Sequence, residues 1–555
     1  MPPTITAQLA DALKQALDRA GLPNPEAMAW EVPREERHGD YATNVALSLA
    51  RPARRPPRAV AEAIVANFPP TPAVDRLEIA GPGFLNVFLA PGWCARSLRE
   101  ILAAGSGYGR SSTGRGQRML LEFVSANPTG PLVIVNARAA AVGDALARIL
   151  RSQGHAVETQ YYVNDAGNQF HSLARSVDAR LRQALGEAAD LPPDGYPGEY
   201  LVDMAREWLE RDPAAMREIA RRPEAERLER LGELAVAEIA EGQRRVLEAY
   251  GTRFDRWVHE RRDVRAAGLA ERALAALAAA GQTYEMDGAL WFRSTAFGDD
   301  KDRVLRKSDG ELTYFAVDIG FHHFEKLGRA DSAVDFLGPD HHGYIGRLKA
   351  AMQALGHAPD SLDVLIVQLV TLLRDGEPVR MSKRRGEFVL MEELLEEVGR
   401  DAARFTFLTR RHDSPLEFDL AVATRQSADN PVFYVQYVHA RTSSLFRNAA
   451  ALGIAIPPWA EVDFAPLALP DEQTLIKRLL QYPDLVAGAA RAREPHRVAY
   501  YLSELAGVFH PYYKAHRVIT EDRELTLARL GLCAAVGLVV RNGLDLLGVS
   551  APETM

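Results

Sequence analysis

The alternation of apolar and polar positions predicts a strand, a loop, a helix and a second strand in the stretch that begins near residue 118. Met119 to Val124 is a short apolar run typical of a buried parallel strand, and Ser125 to Gly130 interrupts it with Asn, Pro, Thr and Gly. Apolar residues then recur at helical spacing between 142 and 150, and Gly154 stands where a left-handed C-cap is typical. Residues 157–162 predict the second strand.

A strand, a crossover helix and a second strand predict parallel pairing, because the helix returns the chain to the start of the sheet. The loop then lies at the carboxyl edge of the sheet, where helix N-terminal amides and the helix dipole favour an anion such as phosphate. Ordinary α/β scaffold shows the same pattern, so the pattern alone favours scaffold over a nucleotide site.

Periodicity and composition divide the chain into blocks. Residues 1–102 predict a small α+β domain, and 103–117 are rich in Gly and Ser, which is typical of a flexible linker. Residues 118–426 alternate strands and helices around a helical insertion at about 169–250, and 427–555 predict a bundle of about five helices. The predicted fold class is α/β, with a Rossmann-like parallel-sheet domain between an N-terminal α+β domain and a C-terminal all-α bundle.

Two further expectations concern individual elements. A helix is predicted at 5–20 and a strand at 84–89 in the first block. In the central block, the segments 289–326, 335–356 and 362–372 are expected to supply the second half of a doubly wound sheet.

Composition narrows the class of protein. With 47% hydrophobic and 25% charged residues the chain is expected to be globular, and because no run of about eighteen apolar residues and no signal-peptide pattern are evident, it is expected to be cytoplasmic. A monomer is expected as well. Cys94 and Cys533 are too few for a zinc site or a disulfide framework and are predicted to be buried thiols. The net charge of −8 means that any nucleic-acid contact must come from local basic patches.

The sequence of this loop contains a recognisable motif. EFVSANPTGPL followed by NARAAAVGDALARIL resembles the first signature of class I aminoacyl-tRNA synthetases in its bacterial arginyl form. That family continues the loop with a His-x-Gly-His box, which contacts ATP, whereas this chain has Val133, Ile134, Val135 and Asn136. Asn136 can still donate a hydrogen bond and Val133 cannot, while Val135 adds a side chain where a base would need close backbone approach.

The resemblance implies specific ligands for arginine. Tyr314 and Asp318 are four residues apart, which places them on one face of a helix, and a guanidinium group needs acceptors in a planar fork. In the family the matching positions bind arginine, and the expected set is Glu122, Ser125, Asn127, Tyr314 and Asp318. From the sequence alone an exposed acid on a helix face remains the alternative for Asp318.

The resemblance also implies nucleotide-binding positions. These are Pro128, Thr129, Gly130, Val133, Val135, Asn136, Asp340, His341, Gly343, Met381, Ser382 and Lys383. The two adjacent histidines of PDHHGY do not favour a shared metal, because neighbouring side chains point apart.

A second signature lies at Arg380 to Lys383, where RMSK matches the family's Lys-Met-Ser-Lys loop with arginine for the first lysine. Together with Arg384 and Arg385 it offers cations for a triphosphate, and its alternative is a solvated basic turn. The residues expected to act in catalysis are Lys383, Arg380 and Asn136.

Two segments predict contacts with tRNA. HGDYATNVALSLARPARRPPR resembles the appended N-terminal domain of arginyl enzymes, and Arg51, Arg54 and Arg55 are candidates for phosphate contacts, unless they form a solvated loop. The C-terminal block resembles the anticodon-binding domain and interleaves rings with cations. Its candidates are Tyr434, Arg441, Tyr512 and Lys514, and ordinary core aromatics are the alternative.

The resemblance implies an arginine–tRNA ligase that uses ATP with Mg²⁺, L-arginine and tRNA(Arg), without a protein nucleophile, a zinc ion or a membrane partner. Because the box is altered, a catalytically impaired variant that still folds and binds tRNA is the alternative. A non-tRNA nucleotidyl transferase is a third hypothesis. It is disfavoured because the C-terminal bundle would have no evident function in such an enzyme.

Overall fold

The computed structural model describes residues 4–25, 28–33, 35–379 and 389–555, and for residues 36 and 342 it describes the backbone alone. The signature at Arg380 to Lys383, with Met381 and Ser382, lies outside the described residues.

The N-terminal block is a three-stranded antiparallel sheet covered by helices. Its elements are α1 (Ile5–Ala20), β1 (Tyr41–Thr43), α2 (Val45–Leu49), α3 (Pro57–Asn67), β2 (Val74–Ala80), β3 (Phe84–Leu89) and α4 (Pro91–Ala104), with strand order β1-β3-β2. The hydroxyl of Thr4 caps α1 by accepting from the Ala7 N–H at 3.2 Å, and Gly21 closes the helix at φ 61°. The predicted bounds of α1 and β3 are confirmed.

The segment after α4 differs from the flexible linker that its composition predicts. The Tyr108 hydroxyl donates to the Leu479 carbonyl at 3.0 Å, and the Gln153 amide donates to the Gly109 carbonyl at 2.9 Å. Ser111 donates to the Gln153 side chain at 2.7 Å. Gly and Ser here allow close packing against neighbouring helices rather than free movement.

A parallel sheet forms the centre of the molecule. It and its crossover helices comprise β4 (Arg118–Glu122), α5 (Ile134–Ser152), β5 (Ala156–Val163), β6 (Arg256–His259), β10 (Ser332–Leu337), α12 (Ile345–Ala354) and β11 (Leu362–Ile366). The strand order is β11-β10-β4-β5-β6. The chain runs from β4 to β5 on one side, and β10 lies on the other side of β4. The strand order therefore reverses beside β4, and such a switch point is where open α/β sheets bind ligands.

Close packing of α5 on this sheet depends on one glycine. A Cβ atom at Gly143 would lie 2.2 Å from the ring of Phe123. Phe123 is buried just after β4, and its ring also packs on Phe254 and Phe336, with centroids 4.6 Å and 5.8 Å away. The glycine lets α5 approach the end of β4, which brings the start of the helix next to the loop.

The helical insertion leaves the sheet after β5 and returns before β6. It consists of α6 (Gly167–Ala184), α7 (Glu199–Arg211), α8 (Pro213–Ala220) and α9 (Glu224–Ala249). Its amphipathic helices pack mainly on one another through buried residues such as Leu173, Leu201 and Leu231.

The segment 283–306 departs from the prediction for the second half of the sheet. It forms a separate antiparallel sheet of β7 (Thr283–Met286), β8 (Ala289–Phe292) and β9 (Arg303–Arg306). α10 (Leu269–Ala279) precedes it, and α11 (Tyr314–Gly320) with a π-helical turn (Phe321–Lys326) follows it. Short strands joined by turns pair locally, whereas β10 and β11 are joined by the crossover helix α12, which allows parallel pairing.

A third small sheet follows β11. It contains β12 (Val370–Arg374), β13 (Glu377–Pro378) and β14 (Leu416–Asp419), with α13 (Met391–Val398), α14 (Arg400–Phe407) and α15 (Leu420–Thr424) beside it. Arg138 on α5 is buried and donates to the carbonyls of Gln368, Leu369, Arg411 and Ser414 at 2.7–3.3 Å. Burial lowers the pKa of this guanidinium to about 10. One side chain thus fastens this small sheet to α5.

Residues 427–555, all of them described, hold four α-helices rather than the five expected. They are α16 (Pro431–Ala451), α17 (Pro470–Ala492), α18 (His496–Ala515) and α19 (Arg523–Leu546). α19 is long and apolar enough to cross a membrane, which corrects the expectation that no such segment exists, but 78% of its apolar window is buried inside the protein. Its composition therefore fits the core helix of this bundle.

The bundle is fastened to the rest of the molecule. Lys477 pairs with Asp40 of the first block at 2.8 Å. Arg404 on α14 is fully buried and donates to the Leu547 carbonyl at 3.1 Å and to the Tyr250 carbonyl at 3.2 Å. It also pairs with Asp144 on α5. A single guanidinium therefore joins the end of α19, the end of the insertion and the middle of α5.

Candidate active site

The carboxyl edge of the parallel sheet gathers most of the described candidate residues. Glu122 ends β4, the signature loop (Ser125–Leu132) follows it, and the segment Pro339–Tyr344 follows β10 as a 3₁₀ turn. Because β4 and β10 are parallel neighbours, both segments leave the sheet at the same edge.

The signature loop begins with strained backbone. Val124 and Ser125 have φ of 68° and 37°, a region that β-branched and bulky residues rarely adopt. The Ser125 hydroxyl donates to Glu122 Oε1 at 2.9 Å and accepts from the Tyr162 N–H at 3.1 Å. These bonds stabilise the turn that carries the chain from the strand into the loop.

Glu122 belongs to a buried charge cluster. Lys326 Nζ lies 2.7 Å from Glu122 and 2.6 Å from Asp335, and His322 Nε2 lies 2.7 Å from Asp335. Although burial alone would lower it, the pKa of Lys326 is raised by Asp335 and Glu122. Burial would raise the pKa of Asp335, but Lys326 and His322 hold it at about 2. The lysine therefore keeps its charge and fixes Glu122 at the sheet edge.

Asp318 is the acid of this site without a cationic partner in contact among the described residues. Its side chain is 8% exposed, and the Tyr344 hydroxyl donates to its Oδ2. Burial raises the pKa of Asp318 to about 7, an effect that His322 and Lys326 only partly offset. A buried carboxyl whose proton is easily lost near neutral pH is suited to receive a cationic group, and the exposed-acid alternative for Asp318 is not what the structure shows.

Tyr314 stands at the rim, with 56% of its surface exposed. The charge of Asp318, then burial, raises the pKa of its hydroxyl. Lys326, which pairs with Glu122, lies 3.0 Å from His322 Nε2, and His322 Nδ1 lies 2.7 Å from the Asp318 carbonyl, one helical turn from Tyr314. The structure thus brings Glu122, Tyr314 and Asp318 together.

The altered box begins α5. Val133, Val135 and Asn136 are partly exposed at this end, and Asn136 Oδ1 accepts from the Val133 N–H at 2.9 Å. The asparagine therefore caps its own helix. The cap uses the side-chain oxygen of Asn136, and the hydrogen bond to a ligand that the sequence predicts would be donated by the amide nitrogen.

Backbone contacts connect the box to the chain just after residue 388. The Ile134 N–H donates to the Val389 carbonyl at 3.3 Å, and the Met391 N–H donates to the Leu132 carbonyl at 2.9 Å. Val133 and Leu390 form an antiparallel bridge. The segment that follows the second signature is therefore held against the first.

The remaining nucleotide candidates lie along this edge. Pro128 is buried, Thr129 and Gly130 are partly buried, and Asp340, His341 and Gly343 are exposed in the turn after β10. Asn127 is exposed, and its Oδ1 lies 3.5 Å from Asn164 Nδ2. The nucleotide-binding roles of these residues remain predictions.

The structure also reveals contacts that sequence reasoning missed. Tyr200 on α7 donates to the Thr129 carbonyl, and Gln243 on α9 donates to the carbonyls of Asn127 and Gly130 at 3.2 Å and 2.9 Å. Helical periodicity marks such residues as ordinary members of a packed face, and a carbonyl acceptor leaves no trace in a sequence pattern. The insertion therefore takes part in the site.

The tRNA candidates form two groups, one in the N-terminal block and one on the C-terminal bundle. Arg51, Arg54 and Arg55 are exposed between α2 and α3. On the bundle, the Arg441 guanidinium lies over the rings of Tyr437 and Tyr513 at 4.3 Å and 5.3 Å.

The other bundle candidates differ in exposure. Tyr434 is partly buried beside His510, with ring centroids 4.6 Å apart, and Lys514 is exposed. Tyr512 is 1% exposed within the helical core. Its ring has no free face for a base, so the core alternative fits Tyr512.

Comparison with known proteins covers the whole chain. The chain is 48% identical to the arginine–tRNA ligase of Symbiobacterium thermophilum over 555 residues, which are 99% of this chain and 98% of that protein. The chain belongs to the arginyl-tRNA synthetase family. A second family member, the arginine–tRNA ligase of Syntrophotalea carbinolica, is 47% identical over 99% of both chains.

Family models match three parts of this synthetase-family chain. Residues 6–89 match the arginyl-tRNA synthetase N-terminal domain, 238–419 the class I (R) catalytic domain, and 435–555 the DALR anticodon-binding domain. The Thermus thermophilus arginyl-tRNA synthetase structure aligns over 99% of both chains with a TM-score of 0.78 and 25% identity. The predicted family and fold class are confirmed, and the altered box lies outside the catalytic-domain match.

Proposed function

We propose that this chain is an arginine–tRNA ligase. The observation that carries the proposal is the contact chain from the signature loop through Glu122, Lys326 and His322 to Asp318, in a chain that matches arginine–tRNA ligases over 99% of its length. A fork of acidic and phenolic oxygens suits a guanidinium group, and a loop before a helix N-terminus suits phosphate.

The reaction has two displacements. A carboxylate oxygen of arginine attacks the α-phosphorus of ATP, the bond to the β-phosphate breaks, and pyrophosphate leaves. A ribose hydroxyl at the tRNA terminus then attacks the arginyl carbonyl, and AMP leaves while the hydroxyl proton goes to solvent. The protein supplies no nucleophile, so its contribution is positioning and stabilisation of charge.

Individual residues are assigned to these steps as follows. Asp318 and Glu122 hold the guanidinium, with Tyr314 at the rim, while Ser125 and Asn127 stand beside it. The signature loop, the start of α5 and the turn at Asp340–Gly343 hold the nucleotide. Arg380 and Lys383 neutralise the leaving pyrophosphate.

ATP enters as its Mg²⁺ complex in this proposal, because phosphate oxygens and water are the ligands that this ion prefers. Among the described residues, His, Cys, Asp and Glu form no group of three or more that could hold an ion alone.

Transfer of radioactive arginine to tRNA(Arg), together with tRNA-dependent pyrophosphate exchange, tests the function. We expect arginine-specific charging by the unaltered chain. If the chain binds tRNA(Arg) but exchange is absent, and the Val133→His, Val135→Gly, Asn136→His variant restores it, the impaired alternative is correct. Absence of charging and of tRNA binding would refute both.

Arginine binding should depend on pH through Asp318. Because its pKa is raised to about 7 in the free protein, the carboxyl is increasingly protonated as the pH falls below 7 and then cannot pair with the guanidinium. The dissociation constant should rise by about tenfold per pH unit below 7 and stay level above it. Calorimetric titration with arginine between pH 5.5 and 8.5 measures this, and a flat profile would contradict it.

A further inference from the structure

The carbonyl groups of the signature loop are held by side chains outside the loop. Gln243 binds the carbonyls of Asn127 and Gly130, and Tyr200 binds that of Thr129. The Tyr161 hydroxyl on β5 lies 3.1 Å from the Ala126 carbonyl. The loop has no helix or strand of its own, so these contacts determine its shape.

The orientation of the Gln243 amide is determined by its neighbours. The single proton of the Tyr161 hydroxyl is shared between Gln243 Oε1 at 2.8 Å and the Ala126 carbonyl at 3.1 Å, and neither of these oxygens can donate in return. The two protons on Nε2 are then directed to the carbonyls of Asn127 and Gly130, which can only accept. Gln243 is 2% exposed and Tyr161 is fully buried, so water does not compete for these bonds.

The geometry of each peptide unit determines where its N–H group points once its carbonyl is fixed. The described chain has no cis peptide bond, and in a trans peptide the N–H points away from the carbonyl. Since the carbonyls of Ala126 and Thr129 face Tyr161 and Tyr200, the N–H groups of Asn127 and Gly130 point the other way. Neither N–H has a hydrogen-bond partner among the described residues.

We propose that Tyr161, Tyr200 and Gln243 are positioning residues. The two tyrosines aim the Asn127 and Gly130 amides at anionic oxygens of ATP in place of the imidazoles missing at 133 and 136, and Gln243 holds the same two residues by their carbonyls, which precede Pro128 and Pro131. This rests on the proposed function. Preorganised amides stabilise phosphate charge without a titratable group. The clamp (Tyr161, Tyr200 and Gln243) also holds the strained turn at Val124 and Ser125, because it fixes the residues that follow.

The test uses two variants of the full-length chain, Tyr200→Phe and Gln243→Met. The first removes one hydroxyl and the second removes both amide donors while keeping the length of the side chain. We expect each to weaken binding of α,β-methylene-ATP and to raise KM for ATP by about tenfold, with a smaller rise in KM for arginine. The effect on arginine should be smaller because Glu122 and Asp318 are held by Lys326 and Tyr344, and among the arginine candidates only Asn127 contacts the clamp directly.

Matched controls come from the same insertion. Tyr196→Phe and Gln183→Met alter a tyrosine and a glutamine that make no hydrogen bond to the loop; Gln183 instead donates to the Ala189 carbonyl at 2.6 Å. Both should keep the parent affinity and the parent KM values. Equal losses in test and control variants, or losses explained by a lower melting temperature, would overturn the proposal.

Binding and turnover separate the two hypotheses. If the unaltered chain charges no tRNA, the proposed function fails, while calorimetry with α,β-methylene-ATP still tests the clamp. Unchanged affinity in both test variants, or no measurable affinity of the unaltered chain, would overturn the clamp.

Discussion

Replacing Asp318 by asparagine is expected to raise KM for arginine by about 10²- to 10³-fold. The carboxyl is buried, and the proposed function pairs it with the substrate guanidinium; losing one member of a buried charge pair has a cost of this order. The turnover number should change less, because the contact exists before the transition state forms. Steady-state pyrophosphate exchange with tRNA present measures both values.

Asp360→Asn is the matched control for this substitution. Asp360 is an exposed aspartate in the turn before β11, and its loss should leave KM for arginine as it is. Equal values for Asp318→Asn and the unaltered chain would remove Asp318 from the arginine site.

Replacing Lys326 by methionine should lower the free energy of unfolding by about 3–5 kcal/mol. The ammonium group lies between Glu122 and Asp335, and its removal leaves two buried carboxylates without their cation. Arginine affinity should fall as well, since Glu122 loses the partner that fixes it. Denaturant titration gives the stability, and calorimetry gives the affinity.

Lys307→Met provides the comparison for a surface pair. Lys307 pairs with Glu311 at 3.5 Å, and both side chains are more than half exposed, so its loss should change stability by less than about 1 kcal/mol. Adding Asp335→Asn to Lys326→Met should recover part of the lost stability. If Lys326→Met unfolds like Lys307→Met, the buried cluster has no structural role.

Local patterns predicted much of the fold because they report burial along one element. The helix Ile5–Ala20 and the strand Phe84–Leu89 have the predicted bounds, and the crossover at 118–163 forms the predicted parallel pair. Where local and distant contacts compete, the prediction differed. The Gly- and Ser-rich segment after Ala104 is held by Tyr482 and Gln153, and 283–306 pairs within itself.

The sequence predicted residues of the candidate site only where a motif or a helical spacing identified them. Spacing placed Tyr314 and Asp318 on one helix, yet neither the burial of Asp318 nor its contact with Tyr344 follows from spacing. The pairing of Glu122 with Lys326 joins residues 204 positions apart in the chain. Tyr200 and Gln243 bind backbone carbonyls, which every residue type has, so no sequence pattern marks their partners.

The buried Arg404 has a mechanical consequence. Its contacts with Asp144, Tyr250 and Leu547 join three segments. A hinge motion at this junction would therefore break several of these contacts together. A nucleic acid that contacts the bundle and the sheet edge at the same time therefore meets two surfaces held at a fixed distance from each other. Fit across that span, rather than affinity at either end alone, would then discriminate between polynucleotides of different shape.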